Sequence, residues 1–369
     1  MREPVELRRQ RILAAVESRG SARVSDLAAE LEVSVVTVRR DVEELAREGR
    51  LRRGHGLVRS ALAARDLPAA PVPDGESVAV VVPERHSYLY ESLHGARSVL
   101  EAAGKRIALH IAPQVGGAER PLVERALADG AAGLLLAPRW RTRADEEDDY
   151  GWLAALDVPA VLMERRPRPG SALHAMDSVC SDHAHGVHLA VQHLVGLGHR
   201  RIVFATRHDS PTARTLRSAC ARIAGGHPLV EDWAWTLSAP EAGPDGPYPA
   251  EATAELSALL REVGATAAVL HGDVDALMLV QQLADNGVRV PEDCSVVAYD
   301  DVVAGLGTTP LTAVAPPKAD VGRAAAELLL RRLDAPRGAG GPVRRTELLP
   351  SLIVRGSTRA RAGCTDPLE

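Results

Sequence analysis

Residues 267–301 read AAVLHGDVDALMLVQQLADNGVRVPEDCSVVAYDD. Ala267–Leu270 is a short apolar run, and Ser295–Tyr299 is a second one. Between them, Asp273–Asn286 carries its apolar residues at helical spacing. Strand, helix, strand is the smallest unit of a parallel sheet. Two parallel neighbours need a crossover of a dozen or more residues to bring the chain back. Runs that are apolar throughout fit strands covered on both faces.

The alternation extends outward from this unit. Apolar runs at Ser77–Val82, Arg106–Ile111, Gly133–Ala137, Ala160–Met163, Val179–Ser181 and Arg201–Ala205 are short enough for strands. Helical stretches lie at Tyr88–Ala103, Ala184–Leu197, Thr212–Ile223 and Ala319–Leu333. The expected class is α/β with parallel sheets. The part from Ser77 onward, about 290 residues, exceeds what one sheet usually needs, so two lobes are expected within 77–369. Lobe 1 is expected over 77–175 and 305–335, and lobe 2 over 176–304 and 340–358. No repeat at solenoid spacing is present.

Upstream the pattern changes. Residues 60–76, SALAARDLPAAPVPDGE, read as an interdomain linker, able to reach about 55–60 Å when extended. Residues 1–59 read as a separate small domain with three helices. Glu6–Ser18 places Ile12, Leu13 and Val16 on one face. Ser25 is an N-cap candidate before Leu27, Ala28 and Leu31. Ser34 is a second one, before Val38, Val42 and Leu45, which fall within about 60° on a helical wheel. Gly49 stops this third helix. Arg50–Arg59 (RLRRGHGLVR) holds four Arg and no acid, and reads as a β-hairpin with a basic tip.

The 369 residues are 46% hydrophobic and 25% charged, which excludes a disordered or fibrous chain. No run approaches the roughly 18 apolar residues of a membrane span. MREPVELRRQR lacks the apolar core of a secretory signal. Cys180, Cys220, Cys294 and Cys364 form no CxxC pair, which argues against a zinc ribbon or disulfide framework and fits a reducing cytoplasm. The net charge of −5 is uneven: residues 1–60 carry +3 from 13 Arg and ten acids, and the remainder carries −8. A basic head on an acidic body points to a polyanion met by the head alone.

The third helix has the residues for such a contact. Val35, Val36, Thr37, Arg39 and Arg40 lie on the N-terminal half of its outward face. Valine and threonine methyl groups suit thymine methyls, and arginine suits guanine acceptors. Ser34 and the helix N-terminus suit a phosphate, as do Arg52, Arg53 and Arg59 of the hairpin. Arg47 is as well explained by pairing with Glu43, Glu44 or Glu48. SDLAAELEVSVVTVRRDVEELAREGRLRRGHG (25–56) resembles the winged helix-turn-helix of DeoR-type bacterial regulators, over roughly residues 6–58. The resemblance implies DNA binding by the third helix, with the basic hairpin as wing.

In open α/β sheets, ligands bind beyond the C-terminal strand ends. Those ends carry Glu84-Arg85, Glu164-Arg165, Asp182, Gly272-Asp273 and Asp300-Asp301. Carboxylates fixed there can accept hydrogen bonds from several hydroxyls. The stretches VPAVLMERRP (158–167), HLVGLGHRRIVF (193–204), VRVPEDCSVVAYDD (288–301) and PLTAVAPPKADVGRAAAELLLRRL (310–333) resemble the LacI/GalR effector domain. That resemblance implies a two-lobed, periplasmic-binding-protein-like body with Rossmann-like lobes. Carried over by position, it implies ligand contacts at Glu164, Arg217, Gly272, Asp273 and Asp300. Glu164 stands where the family usually has Asp, and Gly272 where Asn is common. Tyr88 and Tyr90, or Trp233 and Trp235, would offer an apolar face to a sugar ring. Asp273 also stands where a helix cap would.

Together the resemblances imply a cytoplasmic, ligand-responsive repressor that binds double-stranded operator DNA and a sugar or polyol. A homodimer is expected, with a tetramer as the alternative, and neither cofactor nor metal. His183, His185, His188 and His193 lack zinc-site spacing, and His199 reads as a structural residue at a helix end. The chain has no GxxxxGK[ST], no GxGxxG after a strand and no GxSxG, so no enzyme is expected. The alternatives are a nucleoside or purine effector, a transport-binding protein and a sugar-acting enzyme.

Overall fold

The computed structural model describes residues 8, 9, 12, 21–24, 27–28, 31, 33–47, 51–54, 57–60, 76–84, 87–113, 115–238, 256–335 and 341–361. It divides into two units, Met1–Pro73 and Asp74–Glu369.

In the first unit, helix α1 (Val35–Arg47) buries Val38, Val42 and Leu45 against Ile12, Leu27, Ala28, Leu31 and Val58. The Ser34 hydroxyl caps it by accepting the Thr37 N–H at 3.2 Å. Strands β2 (Leu51–Gly54) and β3 (Leu57–Ser60) pair antiparallel, as the hairpin reading requires. Strand β1 (Ser21–Arg23) adds to β3, giving the order β1-β3-β2. Three residues are too few to show a period, so β1 was not legible in the sequence. Most of the two preceding helices, Gly49 and most of the linker lie outside the described residues.

The second unit holds two six-stranded sheets. Sheet 1 has the order β14-β8-β7-β6-β4-β5. Its strands are β4 (Ser77–Pro83), β5 (Arg106–Ala112), β6 (Ala131–Leu136), β7 (Ala160–Met163), β8 (Asp177–Ser181) and β14 (Arg345–Leu348), all parallel. Sheet 2 has the order β10-β9-β11-β12-β13-β15. It contains β9 (Arg201–Thr206), β10 (Asp232–Leu237), β11 (Ala267–His271), β12 (Ser295–Tyr299), β13 (Thr312–Ala315) and β15 (Ser351–Ile353), with only β15 antiparallel. Setting aside β14 and β15, each sheet places its second strand outside its first. The order therefore reverses between β4 and β6, and between β9 and β11. A crevice opens at such a switch point, outside the carboxyl ends of the strands.

The lobe boundaries differ from those expected. β8, expected in lobe 2, is the neighbour of β7 in sheet 1. β13, expected in lobe 1, lies beside β12 in sheet 2. β14 belongs to sheet 1, whereas β15 belongs to sheet 2. The reason is that a short apolar run is equally buried beside either sheet, so its hydrophobicity does not choose a neighbour. The chain crosses between the lobes after β8, after β13 and after β14.

Helices cover the sheets. α2 (Ser87–Ala102) and α9 (Lys318–Leu333) lie together on sheet 1. Their backbones nearly touch: a Cβ on Gly322 would sit 1.7 Å from the Ser92 carbonyl oxygen, and one on Gly95 2.0 Å from that of Ala319. The other helices of this unit are α3 (Glu119–Ala128), α4 (Arg143–Ala154), α5 (His183–Gly196), α6 (Pro211–Gly226), α7 (Leu256–Val263) and α8 (Asp273–Asp285). Among the described residues, no helix is long and apolar enough to cross a membrane.

Candidate functional site

The strand ends of both sheets face one crevice. Tyr88, Leu89, Glu164 and Arg165 line it from lobe 1. Arg207, Asp209, Ser210, His271, Gly272, Asp273, Asp275 and Asp300 line it from lobe 2. Glu164 immediately follows β7 and Asp300 immediately follows β12. Both have left-handed backbones, with φ of 54° and 73°. Side chains other than glycine rarely adopt that region, and held strain of this kind clusters where the surroundings fix a functional group.

The lobe 1 wall is closely bonded. Glu164 Oε1 accepts the Tyr88 hydroxyl at 2.5 Å and the Ser181 hydroxyl at 2.8 Å. Its Oε2 accepts the Ser181 N–H at 3.2 Å and lies 3.7 Å from His183 Nε2. Burial pushes the His183 pKa down, so the ring is neutral, and its Nδ1 meets the Tyr299 hydroxyl at 3.0 Å. Burial, then Glu164 and Asp300, push the Tyr88 pKa well above the ordinary tyrosine value, which keeps its proton on as donor. The buried Lys318 Nζ lies 5.5 Å from the Tyr88 ring centroid. Arg165, also buried, donates to the carbonyls of Pro138, Glu164 and Ala137. Burial lowers its pKa to about 10.

On the lobe 2 wall, Arg207 forks onto Asp209 at 3.2 and 2.8 Å and reaches Asp275 at 2.9 Å. His271 Nδ1 accepts the Arg207 N–H at 3.2 Å. Burial lowers the His271 pKa to about 3, so this ring is neutral too. Asp273 Oδ2 accepts the N–H groups of Val302, Val303 and Ala304 at 2.6, 2.5 and 3.2 Å, and its Oδ1 accepts that of Val274 at 2.9 Å. Asp300 differs from its neighbours: its Oδ1 is shut off from solvent and has no hydrogen-bond partner among the described residues. Burial raises its pKa to about 7, opposed by Lys318 and aided by Asp273 and Glu164.

Of the residues singled out in the sequence, Tyr88, Glu164, Gly272, Asp273 and Asp300 meet in this crevice. Asp273 is there, but its carboxylate is spent on backbone N–H groups that hold the turn after Asp300. Arg217 is not among the lining residues. Its guanidinium stacks over Trp235 at 5.2 Å, on the flank of sheet 2. Trp235 donates its indole N–H to Thr206 at 2.6 Å, and Trp233 packs edge-on against Phe204, so both tryptophans belong to the lobe and not to the crevice. Tyr90 is 58% exposed. His199 is buried and bonds Thr266, Ser295 and the Arg359 carbonyl. The reading missed Arg207, Asp209, Ser210 and His271. The strand-end rule reaches them, because RHDS (207–210) follows β9 directly and His271 is the last residue of β11.

In the head, Ser34, Val35, Val36, Arg39 and Arg40 are exposed and Thr37 is half-buried. Val36 is 73% exposed, while Val38, two residues on, is fully buried. Asp41 is buried and takes the Arg8 and Arg9 guanidinium groups at 2.6 and 3.4 Å, a pairing the sequence did not reveal. The side chains of Arg47, Arg52, Arg53 and Arg59 lie outside the described residues.

The profile of a DeoR-like helix-turn-helix domain matches residues 8–62, and that of a periplasmic binding protein-like domain matches residues 191–358. The arabinose metabolism transcriptional repressor of Geobacillus stearothermophilus is 26% identical over 339 residues, 90% of either chain. The HTH-type transcriptional repressor PurR of Haemophilus influenzae is 31% identical over 206 residues, 55% of this chain and 58% of that protein. A solved LacI transcriptional regulator from a Rhodococcus species aligns with a TM-score of 0.62 at 25% identity, covering 77% of this chain and 98% of that one.

Proposed function

We propose that this chain, which joins a DeoR-like helix-turn-helix head to a LacI-type effector body, is a transcriptional repressor whose ligand is a small, uncharged, hydroxyl-rich molecule such as a sugar or polyol. The observation that carries the ligand class is the Asp300 oxygen. It is a buried acceptor without a donor among the described residues, at the end of a strand, in a crevice between two lobes. A hydroxyl supplies that donor. The crevice arginines already serve Asp209, Asp275 and backbone carbonyls, so a phosphate would meet more carboxylates than uncommitted cations. Of the aromatic side chains lining it, Tyr88 is tied to Glu164 and has Lys318 against its ring, which does not make the stacked pair a purine would use.

The head carries the DNA-binding part of the reading. Val35, Val36, Thr37, Arg39 and Arg40 read base edges in the major groove, Ser34 with the helix N-terminus meets a phosphate, and Arg52 and Arg53 of the wing contact the backbone. A homodimer reads two half-sites and lets the ligand alter their spacing. The ligand must bind two arrangements of the body with different affinity for any response to follow.

The test is a thermal-shift screen of the purified full chain with L-arabinose, other pentoses, hexoses, polyols, sugar phosphates and nucleosides, followed by operator binding with each hit. An uncharged sugar or polyol is expected to raise the melting temperature in proportion to its saturation and to change operator affinity. Stabilisation by nucleosides or phosphorylated sugars alone would reject the ligand class, and turnover of a hit would reject the binding-only role.

A further inference from the structure

The lobes also meet outside the crevice lining. Arg214, in the first turn of α6 on lobe 2, extends its guanidinium to lobe 1. It donates to the carbonyl oxygens of Trp140 and Arg141 at 2.6 and 2.9 Å, and to Glu146 Oε2 at 3.1 Å. The Arg214 side chain is 19% exposed and that of Glu146 7%. Two carbonyls and a carboxylate converging on one guanidinium from the opposite lobe form a socket, and a charged fork of this kind is both strong and directional.

The socket is held by lobe 1 itself. Glu146 Oε1 accepts the Tyr150 hydroxyl at 2.8 Å and Arg168 Nε at 3.2 Å. Trp140 has a left-handed backbone, with φ of 35°, and its indole donates to Asp149 at 2.7 Å. Thr142 and Asp145 cap α4 reciprocally, which fixes the end of the loop. The start of the same loop is gripped from the crevice, where Arg165 donates to the carbonyls of Ala137 and Pro138. The segment 137–142 is thus held at one end by a crevice arginine and at the other by an arginine of lobe 2. On that other lobe, Ser210 and Thr212 line the crevice from the same turn that carries Arg214.

We propose that Arg214 is a positioning residue that sets how closely the two lobes approach, with the 137–142 segment coupling this clasp to the crevice. The proposal rests on the two-lobed ligand-binding reading, but its test needs no ligand. Glu146 keeps Tyr150 and Arg168 when Arg214 is removed, so lobe 1 retains its own bonds in an Arg214→Ala variant.

Hydrogen–deuterium exchange of the full chain, wild type against Arg214→Ala, Arg214→Lys and Glu146→Gln, reads the clasp directly. Arg214→Ala is expected to speed exchange about tenfold in 137–142 and also in the crevice turn 271–275, with little change in melting temperature. Arg214→Lys, which retains one charged donor, and Glu146→Gln, which retains the carbonyls, should fall between. Faster exchange confined to 211–216 would mean that Arg214 only steadies its own helix, and would overturn the proposal. So would an Arg214→Lys variant that exchanges as fast as Arg214→Ala. If the ligand screen finds nothing while these shifts appear, the clasp stands and the ligand reading fails. The reverse result separates them the other way.

Discussion

At the scale of single residues, the crevice divides its carboxylates by what they already hold. Glu164 has Tyr88 and Ser181, Asp209 and Asp275 have Arg207, and Asp273 has four backbone N–H groups. Asp300 keeps an oxygen without a donor among the described residues. Asp300→Asn should therefore weaken binding of the screened ligand about 10- to 100-fold, measured by calorimetry, because a charged hydrogen bond contributes about 1.5–3 kcal/mol. The same residue sets a pH dependence. Its pKa rises from 3.8 unfolded to about 7 folded, so the folded chain holds a proton that the unfolded chain has released. Its contribution to stability is full below about pH 4, declines as pH rises, and is gone above about 7. Denaturant unfolding of wild type and Asp300→Asn between pH 4 and 8 should show wild type losing stability relative to the variant over that window. Parallel curves would contradict the assignment. A ligand that donates to the carboxylate favours its charged form, so affinity should rise from pH 6 to 8.

At the scale of elements, two helices make opposite uses of their surfaces. α1 buries Val38, Val42 and Leu45 and leaves Val36 at 73% exposure. Arg40→Ala should weaken operator binding about 10- to 100-fold in a gel-shift assay at fixed salt, with an unchanged far-ultraviolet spectrum. Unchanged affinity would move the DNA contact elsewhere. α9 buries its face against α2 through glycine. Gly322→Ala should cost at least about 1–3 kcal/mol in denaturant unfolding, because its methyl group meets the backbone of Ser92 and Ala96 and no flexible side chain that could yield. The helix period was legible for both, since Val38, Val42 and Leu45 repeat at helical spacing. The contact distance between α2 and α9 was not legible, because it depends on which glycines face each other across 227 residues of chain, from Gly95 to Gly322.

At the scale of the whole molecule, the fragment 74–369 should fold alone. Among the described residues, its twelve strands form two complete sheets and its own side chains build four hydrophobic clusters. A monodisperse product that keeps the ligand-induced thermal shift is expected, and an aggregated one would contradict the division. The sequence by itself determined that the chain has a basic helix-turn-helix head and an α/β body with carboxylates at its strand ends. Those properties are carried by local spacing, by unbroken apolar runs and by residues adjacent to them. Tertiary structure alone decided that β8 lies beside β7, that Arg207 and not Arg217 lines the crevice, and that Arg214 bridges the lobes. An apolar run pairs equally well with either sheet, and an arginine on an amphipathic helix reaches whichever acceptors the packing of the lobes brings within a few ångströms.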